Sequence, residues 1–332
     1  MIRKSWQNRA MLKCLRSVPV GLLLGVLGVT SGCDVVWSPF LQTRELTCGN
    51  GVFCAQTSPV TSTLRAIWGA DAQHIFAVGD NAAILHYDGT SWANRAPSGL
   101  GGRTLRSVWG CSASEVWAVG DAGTILKWDG SNWNVSTSGS TKDLYGVWCG
   151  SPTKVWAVGA LGTILKFDGT NWLTETTTPS TTQTFHKVWG SQTSLWTVGA
   201  AGKIYSNSNY VGWVEETSGT TKSLFAIGGF DANSLYAVGS DAVIVKRGQG
   251  SPASWAGENS GVLNASSLQG VWGGSAQRIW VVGLMGAIAQ WNGSMWTPRD
   301  AGVTAGLYGV WGSDSSHVWF VGENGTILYR EE

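Results

Sequence analysis

The sequence predicts an all-β, seven-bladed β-propeller with four-stranded blades, and three observations carry the prediction. A block of 39 to 44 residues recurs seven times. Each block holds four short strand-like runs, the signature of a propeller blade. The run missing from the last block is found ahead of the first.

Each block reads Leu-x-x-Val-Trp-Gly, a polar turn, Val-Trp-Ala-Val-Gly, a tight turn, Gly-Thr-Ile-Leu, then Asp-Gly-x-x-Trp. Its first position falls at Leu64, Leu105, Leu144, Phe185, Leu224, Leu268 and Leu307. The glycine that ends the second run falls at Gly79, Gly120, Gly159, Gly199, Gly239, Gly283 and Gly322. In the second block, Ser107-Val108-Trp109 reads as strand a, Val116 to Val119 as strand b and Thr124 to Trp128 as strand c, with strand d starting at Trp133. Val, Ile and Trp suit a pleated sheet covered on both faces by its neighbours. Strands c and d are joined by Asp88-Gly89, Asp129-Gly130, Asp168-Gly169 and Asn292-Gly293, where glycine accepts positive φ without steric cost. Blocks 4 (Asn207 to Tyr210) and 5 (Arg247 to Ser254) lack this pair, so irregular outer edges are expected there.

Tryptophan follows the same period. Of 21 tryptophans, 17 occupy three repeat positions: six in strand a, five in strand b and six in strand d. Such regularity assigns them to packing between blades, ahead of stacking on sugar rings.

The last block stops after strand c, at Ile327-Leu328-Tyr329-Arg330. Trp133, Trp213 and Trp296 each stand 11 residues before the next block, and Phe53 stands 11 before Leu64. Phe53 to Thr57 is therefore expected to supply the outer strand of the last blade. The ring would then close without an exposed edge.

The N-terminus reads as a targeting segment. Arg3, Lys4, Arg9, Lys13 and Arg16 form a basic start without an acid, followed by an apolar run from Val18 to Val29 that is too short to span a bilayer comfortably. Thr30-Ser31-Gly32-Cys33 resembles the lipobox of bacterial lipoproteins, which implies diacylation of Cys33; plain signal-peptidase cleavage is the alternative. The expected organisation is a signal peptide over 1–32, a lipidated linker over 33–52 and the propeller over 53–332. It implies an extracytoplasmic protein, held in the cell envelope facing the periplasm or the cell surface. Asp34 leaves the choice of membrane open.

Cleavage removes five positive charges and takes the net charge from +1 to −4. Without basic clusters, nucleic acid is excluded as a partner, since its affinity comes mainly from phosphate contacts. Of the other cysteines, Cys48 and Cys54 flank Gly49 and Gly51 and are expected to form a disulfide in an oxidising compartment. Cys111 and Cys149 follow the same tryptophan in adjacent blocks, offset by one residue; their pairing depends on a Cα separation below about 7 Å.

Residues 53–332 resemble the Trp-rich secreted bacterial β-propeller repeat proteins, near the Asp-box (sialidase-type repeat) and photosystem-assembly-factor propellers. Val-Trp-Gly, Val-Trp-Ala-Val-Gly and Asp-Gly-x-x-Trp carry the resemblance. The Asp-box has a residue between its Asp and Gly that Asp88-Gly89-Thr90-Ser91-Trp92 lacks. Trp128-Asp129 is not a WD-repeat dipeptide, because no Gly-His precedes it at blade spacing. The resemblance implies the fold and leaves function to the site.

The innermost strand of a propeller begins at the rim of the central channel, and the position after its first Leu has no consensus. It holds Arg65, Arg106, Tyr145, His186, Phe225, Gln269 and Tyr308. Either these side chains form a tailored ligand surface, suited to a carboxylated or phosphorylated glycan or an acidic peptide end, or they form a solvated rim. The expected function is a ligand-binding or assembly-scaffold module that takes a protein or glycan at the channel mouth and meets the membrane only through its anchor. The alternatives are a sialidase-like glycan hydrolase and a purely structural envelope protein. Hydrolysis needs clustered arginines and a Tyr paired with a Glu, and no Glu shares a repeat register with a Tyr. No catalytic residue, cofactor or metal is assigned. His74 and His317 align but lack a third ligand, and Asp80, Asp121, Asp241 and Glu323 read as tight-turn residues ahead of Ca²⁺ ligands.

Overall fold

A computed structural model describes residues 51–248, 254–258 and 267–332. Cys33, Cys48 and the signal segment lie outside the described residues, so the anchor and the Cys48–Cys54 pairing stay expectations.

Seven sheets follow one another along the chain. Blade 1 consists of strands a to d at Leu64–Asp71, His74–Gly79, Ile84–Tyr87 and Trp92–Asn94, hydrogen-bonded antiparallel in that order. The a strands of blades 2 to 7 are Leu105–Ser112, Leu144–Ser151, Phe185–Gly190, Leu224–Gly229, Leu268–Ser275 and Leu307–Gly312. Neighbouring a strands pack on one another around the ring, Leu307–Gly312 against Leu64–Asp71 included. Strand b is buried on both faces, as Ile75, Phe76, Ala77 and Val78 show at 0% exposure.

Closure occurs as the spacing predicts. Phe53–Ala55 pairs antiparallel with Ile327–Glu331, with Phe53 opposite Arg330 and Ala55 opposite Leu328. Pairing continues past the strand through Gln56 N–H to the Ile327 carbonyl (2.9 Å). A second observation shows that this strand stands in for a blade's own. In four blades the indole N–H of the d-strand tryptophan donates to the side chain three residues past the corresponding aromatic residue of the preceding blade. Trp172 reaches Ser136 (3.0 Å), Trp213 reaches Glu175 (2.8 Å) and Trp255 reaches Glu216 (2.7 Å). Trp92 reaches Gln56 (2.7 Å), which is three past Phe53.

The Trp-Gly pair of strand a has a packing cause. A Cβ on Gly69 would stand 2.5 Å from the Trp311 ring, one on Gly110 2.4 Å from Trp68, and one on Gly312 2.5 Å from Trp272. Each of these indoles lies over the glycine of the following blade. In blade 3 that glycine is Cys149, which is bonded to Cys111 of blade 2 across a Cα separation of 5.2 Å. There Trp109 is only half-buried and faces the channel.

Blade 4 departs from its siblings by addition. Its c–d hairpin has Asn209 and Tyr210 at positive φ (54° and 60°) in place of the missing glycine. Thr177–Thr178 adds a fifth, parallel strand outside Trp213–Glu216. The c–d connection of blade 5 lies partly outside the described residues.

Candidate functional site

All seven residues without a consensus are set in the same backbone device. The register of strand a against strand b slips between the first Leu and the residue two places on, in every blade. A β-bulge of this kind re-aims the residue it contains. The Leu or Phe before it is 0% exposed, while Arg65, Arg106, Tyr145, His186, Phe225, Gln269 and Tyr308 are half-buried at the rim.

Most of these side chains touch along the ring. The Arg65 guanidinium lies 5.0 Å from the Tyr308 ring centre, and that of Arg106 lies 4.9 Å from Tyr145. Tyr145 meets His186 edge to face at 6.0 Å, and His186 meets Phe225 at 5.2 Å. His186 Nδ1 donates to the Leu224 carbonyl (2.8 Å), and burial pushes its pKa down. Gln269 donates to the hydroxyl of Ser267 (2.8 Å), just ahead of its own strand.

Both arginines are paired with acids within the rim. Arg65 binds Asp80 through Nε and Nη2, each at 2.8 Å, and Arg106 Nε binds Asp121 at 2.6 Å. Hydrogen bonding to Asp80 raises the Arg65 pKa. Burial pushes the Asp80 carboxyl up, but the Arg65 guanidinium outweighs it and holds the group below its ordinary value. In blade 7 the equivalent acid is Glu323, which accepts from the Tyr308 hydroxyl (3.2 Å) and the Gly306 N–H (2.8 Å). The Gly-Asp and Gly-Glu turns thus serve to brace the rim.

The mouth therefore has two arcs. Blades 7, 1 and 2 carry the three acid-braced residues. Blades 3 to 6 have Ala160, Ala200, Ser240 and Leu284 at the acid position; blades 3 to 5 present the rings of Tyr145, His186 and Phe225, and blade 6 presents Gln269. At the tips of the b–c turns on this same face, Leu161 of blade 3 is 58% exposed and Met285 of blade 6 is 63% exposed. Both adopt positive φ (56° and 59°), a conformation uncommon for bulky residues.

A Tyr–Glu pair does exist, contrary to the register reading, because the bulge carries Tyr308 back over the turn that holds Glu323. Two features oppose a nucleophilic role for Tyr308. Burial and the Glu323 charge push its phenol up, and the adjacent Arg65 is already engaged by Asp80. Glu115 faces Lys127 (2.9 Å) and Glu215 faces Lys203 (2.5 Å), so neither stands opposite a second carboxylate. His74 and His317 each bind their own turn, to Asp71 (2.9 Å) and Asp314 (2.8 Å), and among the described residues no cluster of three metal-ligating side chains occurs.

No family model and no curated protein matches the sequence. Solved structures do. The chain is similar to YCF48 bound to D1 peptide, with a TM-score of 0.71 and 17% identity over 86% of this chain and 96% of that one. YCF48 from Cyanidioschyzon merolae gives a TM-score of 0.69 at 18% identity, covering 84% and 99%. The WD40 repeats of RRP9 give 0.67 at 8% identity, covering 85% and 99%. The shared property is the propeller fold. At these identities it extends to no residue of the rim, which must be judged on its own geometry.

Three rim and channel residues escaped the sequence reading. Leu161 and Met285 are the only large apolar residues at a turn position otherwise held by Asn81, Ala122, Ala201, Asp241 and Asn324. Lys187 stands two residues after Phe185, where the other six blades have Ala66, Ser107, Gly146, Ala226, Gly270 and Gly309. Comparing each repeat column across blades, rather than reading along the chain, is the signal that finds all three.

Proposed function

We propose that this protein is a binding propeller that captures a peptide segment of a protein partner across its channel mouth, and that it works as a scaffold rather than an enzyme. The observation that carries the reading is the bulge-presented rim, in which seven large side chains of five types sit on an otherwise repetitive frame. Its arc of half-buried Tyr145 and Phe225 and exposed Leu161 and Met285 offers the aromatic and aliphatic anchors typical of protein interfaces. The internal pairing of Arg65 and Arg106 weighs against a strongly acidic glycan as ligand. The likeness to a propeller solved with a bound peptide supports a peptide ligand.

The natural site of action is the cell envelope, with Cys33 as the lipid anchor. The Cys111–Cys149 bond supports an oxidising compartment. Cys33→Ser should release the protein from membranes, and a wild-type protein that takes up no fatty-acid label would defeat the anchor. For the mouth, a random peptide library is selected on the purified protein and counter-tested on Tyr145→Ala/Phe225→Ala and on Leu161→Asp/Met285→Asp. Loss of binding of about tenfold or more in both variants is expected. Selected peptides that bind both variants as well as wild type would remove the mouth as the site.

A further inference from the structure

The channel beneath the rim contains a charge that the fold does not neutralise. Six blades place Ala, Ser or Gly at the position where blade 4 has Lys187. The small residues leave room for the lysine to cross the channel, and its Nζ donates to Ser107 Oγ of blade 2 at 2.9 Å. Ser107 is 0% exposed and also accepts the Val147 N–H (3.3 Å). The space beside the lysine is a cavity of ≈ 60 Å³, walled by Ile67, Val108, Trp109, Trp189 and Ile227.

An ammonium has three donors, and Ser107 takes one. Among the described residues no carboxylate lines this cavity. The acids above it, Asp80, Asp121 and Glu323, are committed to Arg65, Arg106 and Tyr308. Desolvation lowers the Lys187 pKa to about 8, which still leaves the amine largely charged at neutral pH. Lys187 is half-buried as a residue, and its desolvated amine would gain from an anion beside it.

We infer that the channel holds one small monovalent anion, chloride or the carboxylate of formate or acetate, on Lys187 Nζ with Ser107 Oγ beside it. The cavity admits water-sized groups beside the lysine, which suits a small anion. Benzoate, a bulkier carboxylate, serves as the comparison anion.

The experiment titrates the purified protein with sodium acetate near neutral pH, at ionic strength held constant with sodium benzoate. The melting temperature should rise steadily with the logarithm of acetate concentration, as for any ligand of the native state. Lys187→Met should abolish the dependence, and Ser107→Ala should weaken the apparent affinity about tenfold, as one charge-assisted hydrogen bond would. Lys127→Ala, on strand c of blade 2 and paired with Glu115 away from the cavity, should leave it in place. An equal acetate dependence in Lys187→Met, or none in wild type up to about 0.1 M, overturns the site. If Lys187→Met does not fold, nuclear magnetic resonance of lysine-labelled wild type decides. Acetate must raise the Lys187 pKa, and a value that acetate leaves unchanged refutes the proposal.

Discussion

Ring closure offers a quantitative test at Phe53. Its ring packs edge-on against Phe320 at 5.4 Å and Trp280 at 6.3 Å, and the Arg330 guanidinium lies 4.8 Å from its centre. It is half-buried, whereas its counterparts Trp213 and Trp296 are 1% and 3% exposed. A fully buried Phe→Ala change costs about 3–5 kcal/mol. Half the burial halves the transfer contribution, and the aromatic contacts restore roughly 0.5 kcal/mol. Phe53→Ala should therefore cost about 2 kcal/mol, less than full burial would imply. Gln56→Ala, which strips the Trp92 indole of its acceptor, should cost about 1 kcal/mol. Denaturant unfolding followed by tryptophan fluorescence measures both; if refolding fails, unfolding rates replace the equilibrium values. A chain beginning at Ser62 removes the strand altogether and exposes the edge of Ile327–Glu331. It should aggregate or melt far lower, while a chain beginning at Leu46 should fold. A Ser62 chain that stays monomeric with an unchanged midpoint would refute the closure as a source of stability.

Three further expectations follow from side chains of the mouth and channel. Arg65→Ala/Arg106→Ala should lower stability by about 1–2 kcal/mol, because each half-exposed pair contributes up to about 1 kcal/mol. A melting temperature equal to wild type would mean the braces are idle. Replacing both Cys111 and Cys149 by Ser should cost about 4 kcal/mol, from the 38-residue separation they close, and reductant should reproduce the loss in wild type. Lys187→Met, in buffer free of small anions, should stabilise the protein by about 2–3 kcal/mol at neutral pH. The folded-state pKa of about 8 lies below the ordinary 10.5, so the penalty is complete below pH 8 and disappears as pH rises past 10.5. An advantage that persists unchanged at high pH would assign the effect to packing.

The frame of the molecule could be read from sequence because symmetry makes each blade a control for the others. Phe53 was assignable to the last blade because Trp133, Trp213 and Trp296 keep the same distance to the next block, and the contact from Trp92 to Gln56 obeys that register to the residue. The tryptophans were assignable to packing by the same route. Their partner was not, since the close approach of Trp68 to Gly110 is a distance between blades that no single strand encodes. The disulfide stayed open for a similar reason. Cys111 and Cys149 are offset by one residue, and only the shift of neighbouring strands brings their Cα atoms to 5.2 Å.

The site was less accessible, and the bulge is the reason. Read as a regular strand, Arg65 points away from Asp80, fifteen residues on. With one residue slipped out of register it folds back over the turn and both nitrogens reach the carboxylate. The same slip joins Tyr308 to Glu323 and converts apparent free charge at the mouth into bracing. What remains available to a partner is then set by the blades without an acid at the turn, which are the ones bearing Leu161, Tyr145, Phe225 and Met285. A repeat that tolerates Asn, Ala or Asp at the turn tip has no structural need for Leu or Met there. Exposed and in a left-handed conformation, they cost stability without adding to the core. Under the proposed peptide-binding function, their placement would suit a surface that another protein covers, with blades 3 to 6 as the side of the mouth where a peptide would gain most of its affinity.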